Sequence, residues 1–189
     1  MAFKYETSDF RNGLKIVIDG NPYIMTYFQF VKPGKGTAFT RTKLKHMISG
    51  SVLERTYRTG EKVEAADIEE HEMQFLYDDG EFHHFMNTET YEQVAIVSES
   101  IKNEAQYLTE SLSVEVLFFN GRPISVQLPN FVEDTIEYCE PGVRGNTATG
   151  ATKPATLACG AQVQVPLFVE QGEKIRVDTR TNAYASRVN

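Results

Sequence analysis

The sequence predicts an all-β protein built from small barrels, and three observations carry that prediction. Apolar residues recur at every second position in short runs, as strands with one buried face require. Tight-turn chemistry interrupts the runs at Asp19-Gly20, Asp78-Asp79-Gly80 and Asn120-Gly121. Helical spacing is credible in one segment only, residues 98–110.

In residues 1–64, a strand over 15–19 places Ile16 and Ile18 on one face, and Asp19-Gly20-Asn21-Pro22 turns the chain into a long hairpin. Aromatic and branched residues 23–31 rise along it, and an alternating pattern over 37–47 descends. The tip between them is residues 31–36, where Lys35 stands between Gly34 and Gly36, shortly after Lys32 and Pro33. Glycine on both sides permits φ > 0 and leaves no neighbouring side chain, while Pro33 fixes φ near −65° and stiffens the approach. The segment is then either a lone amine at the end of a lever or an ordinary Gly/Pro turn with a solvated lysine. It is not a phosphate-binding P-loop, because the GxxxxGK[ST] spacing is missing and a strand follows instead of a helix.

Alternation puts Arg41, Lys43 and Lys45 on one face of the descending strand, below the tip. Such a stripe is either a phosphate-binding surface or a solvated strand face. A strand over 52–57 and a turn at Thr59-Gly60 complete a barrel-like unit.

Residues 65–128 contain a second hairpin, with Met73, Phe75 and Tyr77 alternating into Asp78-Asp79-Gly80, and Phe82, His84 and Met86 leading away. His83 and His84 are adjacent on a strand, point to opposite faces, and so cannot form a joint ligand pair. Ile101, Ala105 and Leu108 give residues 98–110 their helical spacing, and a third hairpin follows over 114–119 and 124–128. Short strands around a barrel with one intervening helix suit an OB-fold.

Pro129-Asn130 is a joint, after which residues 131–138 alternate again. A Gly/Thr-rich loop over 141–155 carries Arg144 and Lys153 and precedes strands at 162–169 and 174–178. A loop of about fifteen residues is longer than a small β domain ordinarily needs, which favours a function for it. The tail groups Arg180, Tyr184 and Arg187, a pattern that suits nucleic acid or a simple strand end.

The net charge of −7 conceals an uneven distribution: +5 over residues 1–64, −11 over 65–128 and −1 over 129–189. Only part of the molecule is therefore expected to touch phosphate. Cys139 and Cys159 lack CxxC spacing and a nearby histidine cluster, so both are expected as reduced thiols, and no metal or cofactor is indicated. Residues 1–13 contain no apolar leader core, and no run approaches the ~18 apolar residues of a membrane span. The expectation is a cytoplasmic protein with no membrane partner. No nucleophile with an adjacent base stands out, so an enzyme is not expected.

Three segments together resemble the bacterial elongation factor P family: SDFRNGLKI with VKPGKG, the YDDGEFHHFMN hairpin, and the stretch from GNTATGATKPA to ASRV. In the last, Lys153, Ala155, Gly160, Val165-Pro166, Val169 and Gly172 stand at family spacing. The resemblance covers the whole chain. It implies a KOW/SH3-like barrel over 1–64 followed by two OB-folds, over 65–128 and 129–189, in an L-shaped, tRNA-like arrangement. It implies a monomer that binds the 70S ribosome between the P and E sites, beside peptidyl-tRNA, and relieves stalling at consecutive prolines. Lys35 would approach the acceptor end of the P-site tRNA, supported by Lys32, Pro33, Gly34 and Gly36. The 145–153 loop would lie near small-subunit elements, and Tyr184 with Arg187 would face tRNA or ribosomal RNA.

In family members with this tip the lysine is often extended by a β-lysyl group, which implies a Lys35-modifying enzyme; other branches carry a rhamnosylated arginine or no modification. The chain departs from common family forms at Asn146, where aspartate is frequent, and over 149–152, where glycines are frequent. The alternative is a KOW/OB RNA-binding module not tied to peptide-bond formation.

Overall fold

The computed structural model describes residues 3–141 and 151–188, which hold sixteen strands in three sheets. The first sheet comprises β1 (Lys4–Glu6), β2 (Lys15–Ile18), β3 (Asn21–Val31), β4 (Phe39–His46), β5 (Val52–Arg58) and β6 (Lys62–Ala65), in the antiparallel order β1-β6-β2-β3-β4-β5. A 3₁₀ turn, Thr7–Asp9, follows β1. Only Asp19 and Gly20 form the β2–β3 turn, with φ of 50° and 77°, the left-handed pair that suits the twist of a two-residue hairpin. Strand resumes at Asn21, and Pro22 pairs with Val17 instead of lying in the turn. Phe10, Leu14, Ile16, Ile18, Met25, Leu44, Tyr57 and Val63 form the buried core of this sheet.

The second sheet comprises β7 (Ile68–Asp78), β8 (Phe82–Met86), β9 (Gln93–Val97), β10 (Ser113–Phe119) and β11 (Arg122–Gln127), in the order β11-β10-β7-β8-β9. Asn120 and Gly121 repeat the left-handed turn, with φ of 51° and 71°. The adjacent histidines of β8 separate as strand geometry requires. His83 is buried, with Nδ1 2.9 Å from the Ser98 hydroxyl, whereas His84 sits 2.7 Å from the Asp79 carboxylate and stacks on Tyr77 at 4.5 Å. That histidine bond, reinforced by the Phe82 and Glu81 amides, holds the Asp79 carboxyl at about 2.

The helix expected over 98–110 is much shorter: a 3₁₀ turn, Ser98–Ile101, runs into the single α-turn α1 (Lys102–Ala105). The segment then tightens, with the Tyr107 and Leu108 amides donating three residues back, to Glu104 and Ala105. Its buried residues are Ile101 and Tyr107, and Ala105 and Leu108 are only half-buried. Tyr107 belongs to the core of the C-terminal barrel, and that demand overrides the helical period.

That barrel is closed by β12 (Phe131–Cys139), β13 (Thr152–Leu157), β14 (Gln162–Pro166), β16 (Ala183–Arg187) and β15 (Lys174–Asp178), in that order around it. One expectation, the extent of the long loop, is corrected here. The loop expected over 141–155 does not extend past residue 151, because Thr152–Leu157 is a strand whose residues 152–156 pair with β14. Pro154 is tolerated because pairing with β12 reaches no further than Cys139↔Ala155, so its missing N–H faces no partner on that side. The tail is likewise a strand, β16, which pairs antiparallel with β15 and parallel with β14 and so closes the barrel.

By contact the chain groups into two compact units, residues 1–71 with 116–125 and residues 72–115 with 126–189, where the sequence suggests three segments. The first unit holds the six-stranded sheet and the second the closed barrel. Among the described residues no helix is long and apolar enough to cross a membrane.

Candidate functional site

The β3–β4 ladder runs from Tyr23↔His46 to Val31↔Phe39, interrupted by one bulge between Met25 and Tyr27. Its tip is residues 32–38, in which Lys32, Gly34, Lys35, Gly36 and Thr37 are exposed and Pro33 is half-buried. Only one of the two flanking glycines needs to be glycine for its backbone: Gly36 has φ of 112°, while Gly34 stays outside the left-handed region. A Cβ on Gly36 would meet nothing nearer than Pro33 Cγ at 3.8 Å, so the angle, not space, excludes a side chain. Lys35 therefore projects from an exposed turn at the far end of a paired ladder.

Below the tip, β4 alternates strictly. Thr40, Thr42 and Leu44 are buried, and Arg41, Lys43 and Lys45 are exposed on the opposite face. Glu54 of β5 pairs with Lys43 at 3.2 Å, and the Arg41 guanidinium lies 5.5 Å from the Phe39 ring centre. Both Lys43 and Glu54 are more than half exposed, so their pair is weak and an incoming phosphate can displace it. Tyr27, itself exposed, stands opposite Lys43 on the same face, and Gln29 stands opposite Arg41. An aromatic beside three cations suits a stacked base next to a phosphate backbone.

The other predicted RNA contacts fare differently. Arg144 lies outside the described residues, as do Asn146 and residues 149–150 of the expected contact loop. Lys153 is corrected: it is 6% exposed, occupies an inward position of β13, and donates its ammonium to the Glu140 carbonyl at 2.6 Å. Its charge is engaged by the backbone just after β12 and is not presented outward. Tyr184 is half-buried against the barrel core. Arg187 is held internally, with Nε 3.1 Å from Glu173, a second nitrogen donating to the Phe168 carbonyl at 2.8 Å, and the guanidinium 4.8 Å above the Phe168 ring. Arg180 is similarly forked onto Asp178 at 2.6 and 3.0 Å. The cations of the tail are thus engaged by the barrel itself.

Both cysteines are free thiols; Cys139 is buried, and burial pushes the Cys159 thiol up to about 11, which suppresses the reactive thiolate.

Family profiles match the chain in three consecutive stretches: an elongation factor P KOW-like domain over residues 6–63, an elongation factor P OB domain over 68–126, and the elongation factor P C-terminal domain over 132–187. A KOW-like sheet with a cationic tip, followed by OB modules, defines a translation factor. Elongation factor P of Natranaerobius thermophilus is 51% identical over 182 residues, covering 96% of this chain and 97% of that protein. Elongation factor P of Moorella thermoacetica is 50% identical over 181 residues, covering 96% and 98%. The chain belongs to the elongation factor P family. In fold it also matches the solved structure titled eukaryotic translation initiation factor 5A from Methanococcus jannaschii, with a TM-score of 0.55 and 22% identity over 68% of this chain and 92% of that one.

Sequence reasoning missed the support beneath the tip. The Thr59 amide and hydroxyl both donate to the Ala38 carbonyl, at 3.3 and 2.9 Å. A hydroxyl beside the glycine of the 59–60 turn was the available clue, since such residues bond to nearby backbone.

Proposed function

We propose that this translation elongation factor binds the 70S ribosome between the P and E sites, beside peptidyl-tRNA, and promotes peptide-bond formation at consecutive prolines. The observation that carries this reading is the exposed Lys35 at the end of the β3–β4 ladder, with the Arg41, Lys43 and Lys45 face beneath it. Proline reacts slowly because its ring fixes φ and its secondary amine is hindered, so the P-site substrate is poorly aligned for attack. Holding the acceptor end of the P-site tRNA in an attack-ready geometry lowers an entropic barrier, and every ~1.4 kcal/mol gained is about tenfold in rate. Lys35 acts as a positioning cation that hydrogen-bonds the acceptor-end backbone, while the β4 face engages RNA phosphates. The factor performs no covalent chemistry. A modifying enzyme extends Lys35 with a β-lysyl group, which lengthens the reach of the tip and adds donors.

Reconstituted translation of a reporter with and without a triple-proline stretch tests this reading. Lys35→Ala should leave stability within the ~0.5 kcal/mol of ordinary surface substitutions yet remove most proline rescue. Lys35→Arg keeps the charge but lacks the primary amine that a lysyl transfer needs, so it should fail nearly as badly. Full rescue by Lys35→Ala would refute the central role of the tip. Full rescue by unmodified protein and by Lys35→Arg would remove the modification and leave the positioning role.

A further inference from the structure

We propose that Thr59 is a positioning residue for Lys35, acting through the backbone of the tip. The inference rests on the reading of Lys35 given above. Regular pairing between β4 and β5 ends at Phe39↔Arg58, at the edge of the tip. Thr59 carries the ladder one step further. Its amide continues the pairing at 3.3 Å, and its hydroxyl adds a second, shorter bond of 2.9 Å to the same Ala38 carbonyl. Ala38 is the last residue of the tip, three positions beyond Lys35.

The anchor is itself tied down. The Glu61 carboxylate accepts from the Arg58 amide at 2.7 Å, and the Glu61 amide donates back to the Arg58 carbonyl at 3.0 Å, closing the turn around Thr59. The Gly60 amide donates to the Thr7 hydroxyl at 3.1 Å. Thr7 opens the 3₁₀ turn that the Glu6–Asp9 capping box holds at its start. A continuous set of bonds therefore leads from the N-terminal 3₁₀ turn through Gly60 and Thr59 to Ala38. The opposite limb of the tip, residues 32 and 33, continues directly from the Val31↔Phe39 pair and is stiffened by Pro33. With both limbs fixed, Lys35 starts from a narrow set of directions, so less ordering remains to be done on engagement.

Thr59 is exposed and supports no core, so its variants separate positioning from folding. Thr59→Val keeps the shape and the amide bond but removes the hydroxyl; Thr59→Ser restores it. Two readouts on the full chain are needed: backbone NMR order parameters at residues 34–37, and rescue in the triple-proline translation assay. Thr59→Val should lower the order parameters of the tip and reduce rescue by roughly two- to tenfold, the range of one hydrogen bond, with synthesis lacking prolines unchanged. Thr59→Ser should restore both. A Thr59→Val protein with a wild-type tip and wild-type rescue would overturn the proposal. So would a loosened tip with undiminished rescue, or a serine variant as impaired as valine. If wild-type protein gives no proline rescue while the tip still loosens in Thr59→Val, the reading of Lys35 fails and the mechanical link from Thr59 to the tip stands.

Discussion

Tyr107 offers the sharpest test of how the second compact unit is held together. It leaves the short helical segment, enters the core around Ile136, Leu157, Val165 and Val177 at 3% exposure, and donates its hydroxyl to the Asn182 side-chain carbonyl. Asn182 uses its amide for the Gln162 carbonyl at 3.1 Å and adopts φ of 54°, a conformation that asparagine tolerates well. Replacing Tyr107 by phenylalanine removes one neutral hydrogen bond, about 0.5–1.5 kcal/mol, at the low end because Asn182 is exposed and water can take the site. Replacing it by alanine also empties a buried aromatic site, which costs about 3–5 kcal/mol. At ~2–4 °C per kcal/mol for a chain of this size, the alanine variant should melt roughly 6–20 °C lower and the phenylalanine variant only a few degrees lower. Calorimetry supplies the melting temperatures, and hydrogen exchange at β14 and β15 should rise along with that at β7 and β8 in the alanine variant. An alanine variant melting within about 2 °C of wild type would refute the account of Tyr107 as a shared core residue.

On the β4 face, Arg41→Gln and Lys45→Gln should weaken ribosome association and each flatten its salt dependence by somewhat under one unit of log–log slope. Lys43→Gln should do less, because Glu54 already offsets part of that charge; neutralising Glu69, Glu70 and Glu72 together should change little, and ribosome pelleting across a salt series measures all of these. Lys153→Met strips the donor from the Glu140 carbonyl and should destabilise by roughly 1–3 kcal/mol, while a variant that kept its melting temperature and lost ribosome binding would restore an RNA role. Asp79 has a folded pKa of about 2, below the usual carboxylate value, so the stability it contributes is present above about pH 4 and lost as pH falls through 2. Acid unfolding of Asp79→Asn should accordingly show a shallower dependence on pH than wild type in that window.

Period-2 patterning made the strands legible wherever one face meets a core, which is why β4, β8, β10 and β11 were readable at nearly their observed bounds, while β7 was readable only in its last half, from Met73 on. It failed where chemistry disguised the pattern. Thr152–Leu157 contains a lysine and a proline, and the inward place of Lys153 makes sense only once the Glu140 carbonyl is seen within reach. Residues 98–110 carried a helical period, but Tyr107 answers to a core built from residues 132–177, and no local window contains that information. Lys35 and its glycine flank stood out in the sequence because an exposed tip is specified locally. Arg187 did not reveal its internal partners, since Glu173 and the Phe168 carbonyl reach it across the barrel.

The strict alternation of β4 separates what can vary from what cannot. Losing or gaining one residue within Phe39–His46 would rotate every later side chain by half a turn, driving lysines into the places of Thr42 and Leu44 and stranding those two in water. Residues 32–37 carry no such constraint, because they lie beyond the last β3–β4 pair and beyond the Thr59–Ala38 bonds. Insertions and deletions should therefore accumulate in the tip and be purged from the strand beneath it. Reach becomes an adjustable dimension of this molecule, set by loop length and by whatever is attached to Lys35, while the platform that aims it stays fixed.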